Sequence, residues 1–275
     1  MKRLSEEQIS EAIHLYTAGG LSYKKIGDRF GVSDNSIRGL LKRRGVTPRT
    51  LSESHRRIEC NHGYFGQMLD EQRAYWIGFL LADGGITKRS YGQTNRVTCR
   101  LAPCDIGHLR KLLSALGSGH KITDVGHQGV QLSISSSEMV QDLSKHHVSP
   151  RKSANHQFSK AIPENLLKHY FRGYFDGNGG ISRHRSSKWS INCAAGENFL
   201  IAFRDWIGGQ IGGHPAKISF ADGIHRIAWA GTHRCREILD LMYHDASIYL
   251  ERKMLKYEQV VNDAESSSRT SYNRK

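Results

Sequence analysis

Two glycine-bearing stretches about 95 residues apart constrain the fold of this chain most strongly. The stretch YWIGFLLADGGI (75–86) matches YFRGYFDGNGGI (170–181) in its aromatic, glycine and final isoleucine positions. Five further pairs of segments follow in the same order at nearly the same offset: 97–103 with 189–195, 105–117 with 197–209, 120–125 with 216–221, 130–135 with 225–230, and 137–147 with 233–245. Six matches in one order argue against chance. We therefore predict a duplicated α+β domain in which each half runs helix, two strands, helix, two strands, helix.

The two repeated stretches are predicted to be helices that pack against each other. As a helix, the first copy places Gly78 and Ala82 on one face, and the second copy places Gly173 and Gly177 there. Small residues four apart let two helix backbones approach closely. A glycine inside a helix costs about 0.5–1 kcal/mol relative to alanine, so a repeated pattern needs a packing reason. Contact between the two helices on a pseudo-two-fold axis supplies that reason.

Asp83 falls at the C-terminal end of the first of these helices, just before Gly84. The helix dipole is already negative there, so a carboxylate needs a compensating cation. An equivalent side chain across the axis, together with backbone carbonyl groups, would complete a site for a divalent cation such as Mg²⁺. The alternative for Asp83 alone is an ordinary Asp-Gly turn. Repetition of the pattern in a basic chain favours the metal site.

Charge indicates the class of partner. The 275 residues include 40 Lys and Arg against 26 Asp and Glu, which gives a formal net charge of +14. With 38% hydrophobic residues the chain can bury a core, so the excess charge is not that of a disordered basic tail. Nucleic acid is the first candidate partner, and a basic surface kept for solubility is the alternative.

Other cofactor and partner classes find little support in the sequence. The 15 histidines form no zinc motif and the five cysteines form no CxxC pair, so we expect reduced thiols that mostly fill the core. No signal-peptide segment begins the sequence, and no run of about 18 apolar residues occurs. We expect a cytoplasmic protein of a bacterium or phage-infected host, with no membrane partner.

Residues 4–45 read as three short helices. Ser5 with Gln8 forms a capping box before the first, Ser22 opens the second and Ser33 caps the third. Helix, short helix, glycine-bearing turn and helix is the helix-turn-helix plan. The stretch resembles the DNA-binding helix-turn-helix of resolvases and invertases. That resemblance implies contacts to bases and phosphates from the third helix, by Asn35, Ser36, Arg38, Lys42, Arg43 and Arg44. The alternative is a helical hairpin with a solvated basic face.

The domain boundaries follow from these patterns. We place the helix-turn-helix module at 1–46, a polar linker at 47–62, the first half of the duplication at 63–155 and the second half at 156–261. The tail 262–275, NDAESSSRTSYNRK, is polar throughout, and we predict that it is disordered.

The two glycine-bearing stretches resemble the paired motifs of single-chain LAGLIDADG homing endonucleases, and the similarity spans about residues 63–261. The resemblance implies two αββαββα halves that form a DNA-binding saddle, in a monomer with internal pseudo-two-fold symmetry. It implies double-stranded DNA as the partner, Mg²⁺ (or Mn²⁺) as the cofactor, and hydrolysis of both strands. In this family the penultimate motif acid binds the metal, which assigns that role to Asp83 in the first copy and to the position of Asn178 in the second.

Two lysines and a set of strand residues complete the implied site. The family places a basic residue near each active site, which corresponds to Lys121 and Lys217 here, and plain phosphate-contacting or surface lysines are the alternative. DNA contacts are implied along the strands, for Thr87, Lys88, Arg89, Gln93, Asn95, Arg96 and Arg100 in the first half and for Arg183, His184, Arg185, Lys188, Ser190 and Asn192 in the second. Further candidates are Gln128, Gln131, His225 and Arg226.

Asn178 departs from the family pattern. Its carboxamide keeps an oxygen ligand but carries no charge, so metal affinity and water activation should fall. Asp176 points to another side of the helix, at a place where the family usually has a structural turn residue. Three interpretations stay open: a nicking or impaired endonuclease that relies on Asp83, a non-catalytic sequence-specific DNA-binding regulator with a decayed site, and an engineered Asp-to-Asn form. An RNA maturase on the same scaffold is a further alternative.

Overall fold

The chain folds into two compact units, Met1–Arg57 and Ile58–Lys275. The structure is a computed structural model that describes residues 4–49, 58–88, 95–149, 156–183 and 188–272, with side chains up to 267. The division falls inside the segment that the sequence marks as a linker. Its first residues pack with the N-terminal unit, because Arg49 donates its backbone N–H to the Tyr16 hydroxyl at 2.9 Å and its guanidinium to the Gly20 carbonyl at 2.7 Å.

The described part of the N-terminal unit contains three helices: α1 (Glu6–Thr17), α2 (Tyr23–Phe30) and α3 (Asp34–Arg43). Each begins where the sequence predicts, because Ser5, Ser22 and Ser33 each accept a backbone N–H from three residues further on. The capping box at Ser5 is also present. The core of this unit is formed by Ala12, Tyr16, Ile26, Phe30, Ile37 and Leu41.

The C-terminal unit contains the predicted duplication. The first half consists of α4 (Glu71–Ala82), β1 (Gly84–Thr87), β2 (Arg96–Leu101), α5 (Ile106–Ala115), β3 (Thr123–Asp124), β4 (Val130–Ser135) and α6 (Ser137–Lys145). The second half consists of α7 (Leu167–Asn178), β5 (Gly179–Arg183), β6 (Trp189–Ala195), α8 (Glu197–Ile211), β7 (Ile218–Ala221), β8 (Ile224–Ala230) and α9 (Thr232–Tyr243). A further helix, α10 (Glu251–Tyr272), follows. The α+β class and the element order are confirmed.

Each half builds one four-stranded antiparallel sheet. The strand orders are β1-β2-β4-β3 and β5-β6-β8-β7. Gly84 pairs with Cys99 and Gly179 with Cys193, so the two sheets share one register. Side chains alternate across a strand, and the apolar set faces the helices of the same half. The opposite face of each sheet is the more exposed one.

The strand predicted at 120–125 is much shorter than expected. In the structure β3 is only Thr123–Asp124, which pairs with Gln131 and Val130 of β4. The chain then turns at once, because the Asp124 carboxylate accepts the Gly126 backbone N–H at 2.8 Å. The matching strand β7 of the second half keeps four residues before its own tight turn.

The tail predicted to be disordered is helical as far as Tyr272. Helix α10 continues past 262 because it has a docking face that its polar composition hides. Val260 and Ala264 are fully buried, and the Asp263 carboxylate accepts a hydrogen bond from the Trp189 indole at 2.7 Å. No helix within the described residues, α10 included, is long and apolar enough to cross a membrane.

The two motif helices α4 and α7 pack with their backbones in contact, as the small residues predict. A Cβ added to Gly78 would lie 2.0 Å from the Tyr170 carbonyl oxygen. A Cβ added to Gly173 would lie 2.0 Å from the Tyr75 carbonyl oxygen. Only glycine fits at either position, and the reciprocal pair confirms the pseudo-two-fold contact. The same contact brings the C-terminal ends of the two helices together.

Candidate active site

The two motif-acid positions lie at the paired ends of these helices. Asp83 is the C-cap of α4, with its backbone N–H bonded to the Phe79 carbonyl at 2.9 Å, and Asn178 is the last residue of α7. A Cβ on Gly177 would come within 3.1 Å of Asp83 Cγ and 3.2 Å of its Oδ2. The Asp83 carboxylate therefore lies against the residue that precedes Asn178. Gly177 leaves the space for this approach.

Asn178 is held by groups of its own half. Its Nδ2 lies 3.1 Å from the Tyr174 hydroxyl oxygen and 3.5 Å from His156 Nδ1. Tyr174 also bonds to His156 and to the Ala194 carbonyl. Burial raises the pKa of Tyr174 well above its usual value, and the nearby negative charge of Asp83 acts in the same direction.

The oxygen atoms at this place fit a hard divalent cation of the Mg²⁺ or Ca²⁺ type. They consist of one carboxylate, one carboxamide and the carbonyl groups that end two helices. Within the described residues, no group of three or more His, Cys, Asp or Glu side chains could hold a metal ion. One carboxylate and one carboxamide leave positions in the shell of a Mg²⁺-type cation for water and substrate phosphate. Asp83 and Asn178 are the side chains that would hold it.

Lys121 and Lys217, which the family resemblance places near each active site, lie at the outer edge of their sheets. Both are exposed; Lys217 immediately precedes the edge strand β7, and Lys121 lies two residues before the edge strand β3. Each edge strand is three strands away from β1 or β5, the strands that leave the motif helices. A role for either lysine beside Asp83 remains a prediction, with contact to a phosphate as the alternative.

A buried lysine that the sequence reading missed lies at the C-terminal end of α7. Lys253 donates from Nζ to the carbonyl oxygens of Phe175 and Gly179. Burial lowers its pKa to about 8, opposed by the negative charge of Asp176. Its positive charge compensates the negative end of the helix dipole. The signal was the Arg-Lys pair that ends each copy, at 151–152 and 252–253. The first of these pairs lies outside the described residues.

The resemblance implies a structural turn residue at Asp176, but the structure shows a different role. Asp176 lies inside α7, is fully buried, and accepts hydrogen bonds from the Tyr75 hydroxyl at 2.6 Å, the Tyr243 hydroxyl and the Leu250 N–H at 2.8 Å. Burial raises the pKa of its carboxyl group, while the hydrogen bonds from Tyr243 and Tyr75 oppose that shift. Because Tyr75 belongs to α4, Asp176 joins the two halves.

Solved structures similar to this chain include DNA-bound homing endonucleases. The I-SmaMI LAGLIDADG homing endonuclease bound to cleaved DNA aligns with a TM-score of 0.50 and 12% identity, over 76% of this chain and 92% of that one. The LAGLIDADG meganuclease I-AabMI bound to uncleaved DNA has a TM-score of 0.49 and 12% identity over 74% and 92%. I-SmaMI bound to uncleaved DNA in the presence of calcium ions has a TM-score of 0.48 and 13% identity over 75% and 93%. This chain has the LAGLIDADG fold. No family model and no curated protein matches its sequence.

In the LAGLIDADG fold of this chain, the pairing register of the strands determines which of the predicted DNA contacts lie on the exposed face of each sheet. In the first half Arg96 and Arg100 share it with Gln131, since Arg100 pairs directly with Gln131. The Arg100 guanidinium is held by Gln131 and Gln128, each at 2.8 Å. In the second half Asn192 and Arg226 lie on the corresponding face, together with Ser190.

Other predicted contacts lie elsewhere. Arg183 pairs with Trp189 on the opposite face of the sheet and forms an ion pair with Asp263 at 3.1 Å. His225 is likewise on that opposite face, beside the Phe220 ring. Lys88 and Lys188 are exposed next to strand ends, and Asn95 directly precedes β2. Thr87 belongs to the exposed face instead, because it pairs with Arg96 and its hydroxyl oxygen lies 3.3 Å from that of Thr98. The remaining predicted contacts, Arg89, Gln93, His184 and Arg185, lie outside the described residues.

Within the N-terminal unit, α3 buries Ile37 and Leu41 and exposes most of the predicted DNA contacts. Exposed residues of this helix and its C-cap include Asn35, Arg38, Lys42, Arg43 and Arg44. Ser36 is half-buried and its hydroxyl lies 2.8 Å from that of the capping Ser33. Arg44 is paired with Glu6 at 2.6 Å. The basic face of α3 is therefore present, and its use remains a prediction.

Proposed function

We propose that this chain is a sequence-specific, Mg²⁺-dependent endonuclease of double-stranded DNA, of the homing type, with a helix-turn-helix DNA-binding module at its N-terminus. The observation that carries the proposal is the Asp83 carboxylate at the joined ends of α4 and α7, between two sheets with exposed polar faces. The net charge of +14 supports a polyanionic partner. The internal pair of halves supports action as a monomer on two half-sites.

The site is one-sided in charge, which predicts unequal cleavage of the two strands. A divalent cation bound here would act as a Lewis acid on the phosphodiester and lower the pKa of its bound water. Asp83 supplies the negative charge that attracts such a cation, and Asn178 supplies a neutral oxygen. Asp176 cannot replace the missing charge, because its oxygens are occupied by Tyr75, Tyr243 and the Leu250 N–H. We infer a nicking preference, with Asp83 serving the favoured strand.

The neutral side chain at 178 also supports a second candidate function. A chain with a single motif carboxylate would remain a DNA-binding regulator if Asp83 alone does not support hydrolysis. The exposed sheet faces and the basic face of α3 would serve such a regulator equally well. The two candidates differ only in whether a phosphodiester bond is broken.

Strand-resolved cleavage separates the candidates. The full chain is incubated with a mixed duplex DNA library and Mg²⁺ or Mn²⁺, beside Asp83→Asn, Asn178→Asp and the control Asp205→Asn. Asp205 is an exposed helix residue paired with its neighbour Arg204. We expect nicks from the unchanged chain and from the control, loss of cleavage in Asp83→Asn, and added second-strand cuts in Asn178→Asp.

Each result of this assay supports one candidate function and contradicts another. Selective duplex binding with no cleavage by the unchanged chain or by Asn178→Asp would contradict the endonuclease and leave the regulator. Cleavage that survives Asp83→Asn would move the active site away from the helix ends. Preferential binding of structured intron RNA over duplex DNA would replace both candidates with a maturase.

A further inference from the structure

The second half surrounds the Tyr174 hydroxyl with three polar groups. Tyr174 is almost fully buried at 1% exposure, and His156 beside it is 4% exposed. The hydroxyl oxygen lies 3.0 Å from the Ala194 carbonyl oxygen, 3.1 Å from Asn178 Nδ2, and in hydrogen-bond contact with His156 Nδ1. All three partners come from separate segments, so the fold converges on this hydroxyl.

The donors and acceptors around the Tyr174 hydroxyl favour a hydrogen-bond donor at position 178. The Ala194 carbonyl can only accept, so it takes the single hydroxyl proton of Tyr174. The hydroxyl oxygen then accepts from the Asn178 amide and from an Nδ1–H of His156. A carboxylate at 178 would face this oxygen with another acceptor. It would have to draw the proton away from the Ala194 carbonyl, which would then lose the hydrogen bond that Tyr174 donates to it.

The first half shows the opposite combination at the same two positions of the repeat. Phe79 stands where Tyr174 stands, and Asp83 stands where Asn178 stands. Phe79 is fully buried against the His108 ring, at 4.5 Å between ring centroids, and brings no hydroxyl to the helix end. Phenylalanine thus accompanies aspartate in one half, and tyrosine accompanies asparagine in the other.

We propose that Tyr174 and His156 are positioning residues that hold the carboxamide of Asn178. The groups around position 178 match an amide side chain and do not match a carboxylate. The amide nitrogen is turned to Tyr174, and the amide oxygen is therefore on the side away from it. The second half therefore presents a neutral oxygen ligand to a metal ion, and unequal cleavage of the two DNA strands follows from the way this half folds. The consequence for cleavage rests on the proposed function; the holding of the amide does not.

The test is a double-mutant cycle of Tyr174→Phe, Asn178→Asp and the pair together, which copies the Phe–Asp combination of the first half. Tyr170→Phe is the matched control. Tyr170 is a fully buried tyrosine of the same helix whose hydroxyl accepts instead from Ser159 N–H at 3.4 Å. The first readout is the side-chain NH₂ resonance pair of Asn178 in metal-free protein. We expect slow solvent exchange that is lost in Tyr174→Phe and kept in Tyr170→Phe.

The second readout combines calorimetric Ca²⁺ binding to the duplex complex with strand-resolved cleavage. We expect the double variant to exceed Asn178→Asp in second-strand cleavage and in Ca²⁺ affinity by about tenfold, because Phe removes the competing acceptor. Equal Ca²⁺ affinities for the two, or solvent exchange of the Asn178 NH₂ pair that Tyr174→Phe leaves unchanged, would overturn the inference. Absence of cleavage in every variant, with the slow exchange of the Asn178 NH₂ pair still lost in Tyr174→Phe, would refute the endonuclease but not the positioning role.

Discussion

Gly78 of one motif helix lies directly against the backbone carbonyl of Tyr170 on the other, closer than any side chain would allow. Gly173 repeats this contact against Tyr75. The two glycines thus set the separation of α4 and α7, and with it the distance between the helix ends that carry Asp83 and Asn178. Stability and the candidate site depend on the same pair of residues.

Alanine at either glycine should separate the helices. The new Cβ would stand 2.0 Å from a backbone oxygen, so a helix must shift, and overpacking of this kind costs about 1–3 kcal/mol or more. We expect Gly78→Ala and Gly173→Ala to lower the free energy of unfolding by at least that amount in urea titrations. Gly208→Ala in α8 is the control, since its Cβ meets nothing within 4 Å. That control should be stabilised by about 0.4–1 kcal/mol, and equal effects at all three positions would refute the close contact.

Arg172 should be a second determinant of how the halves join. Its buried guanidinium donates to the carbonyls of Ile248 and Met242, each at 2.8 Å, and to Glu71 of the first half at 3.0 Å. Arg172→Met would remove the donor to both carbonyls and leave the Glu71 carboxylate only Ser247 and His169 as neighbours in the described part of the chain, so we expect a loss of about 3–5 kcal/mol in the free energy of unfolding. The same change at Arg204, whose partner is its exposed neighbour Asp205, should cost less than about 1 kcal/mol. Similar losses at both sites would show that the buried network contributes no more than a surface pair.

The sequence predicts the repeat well because duplication displays each pattern twice. The glycine spacing, the helix end at Asp83 and the central strands all follow from short-range patterns that the structure confirms. Prediction from the sequence fails where a residue contacts a partner that is distant in the chain. Asp176 has the appearance of a turn residue until Tyr243 and Leu250 are placed beside it, and residues 262–272 have the composition of a tail until Trp189 meets Asp263. Contacts between residues far apart in the chain produce no periodic pattern in the local sequence, so they cannot be predicted from it.

Stability should fall in acid because of His108. This histidine is 1% exposed, and burial, with the positive charges of Lys111 and Arg252, lowers its pKa to about 3 from 6.5. Its Nδ1 has no hydrogen-bond partner among the described residues. Below pH 6.5 the unfolded chain takes up a proton that the folded chain refuses, so the free energy of unfolding decreases as the pH falls toward 3.

The measurement is urea unfolding between pH 7 and pH 4 for the unchanged chain and for His108→Gln. One histidine of this kind contributes up to about 1.4 kcal/mol per pH unit to the slope. His169, whose pKa burial and the Arg172 charge lower to about 4, adds to the decline in both proteins until that pH is reached. We expect a shallower slope in His108→Gln. Parallel curves would mean that His108 accepts its proton in the folded state.

The exposed faces of the two sheets differ in what they offer to DNA. At matching positions of the register, the first sheet carries the Arg100–Gln131 pair and the second carries Ala194 with Arg226. Further along the second face come Ala228 and Ala230, where the first sheet has Ser133 and Ser135. Small apolar side chains cannot form the paired hydrogen bonds that read base edges. The second half-site should therefore be read less stringently by the paired strands.

Selection of binding sites from a random duplex library, with the full chain and no metal, measures this difference directly. We expect one half-site to retain more sequence information than the other. Arg100→Ala should relax the preference at one position of the more informative half-site, at a cost of about 1–3 kcal/mol for its preferred base. Arg183→Ala is the matched control, because that arginine lies on the opposite face against Asp263 and should leave the preference unchanged. Two half-sites of equal information, both insensitive to Arg100→Ala, would place sequence reading outside the paired strands.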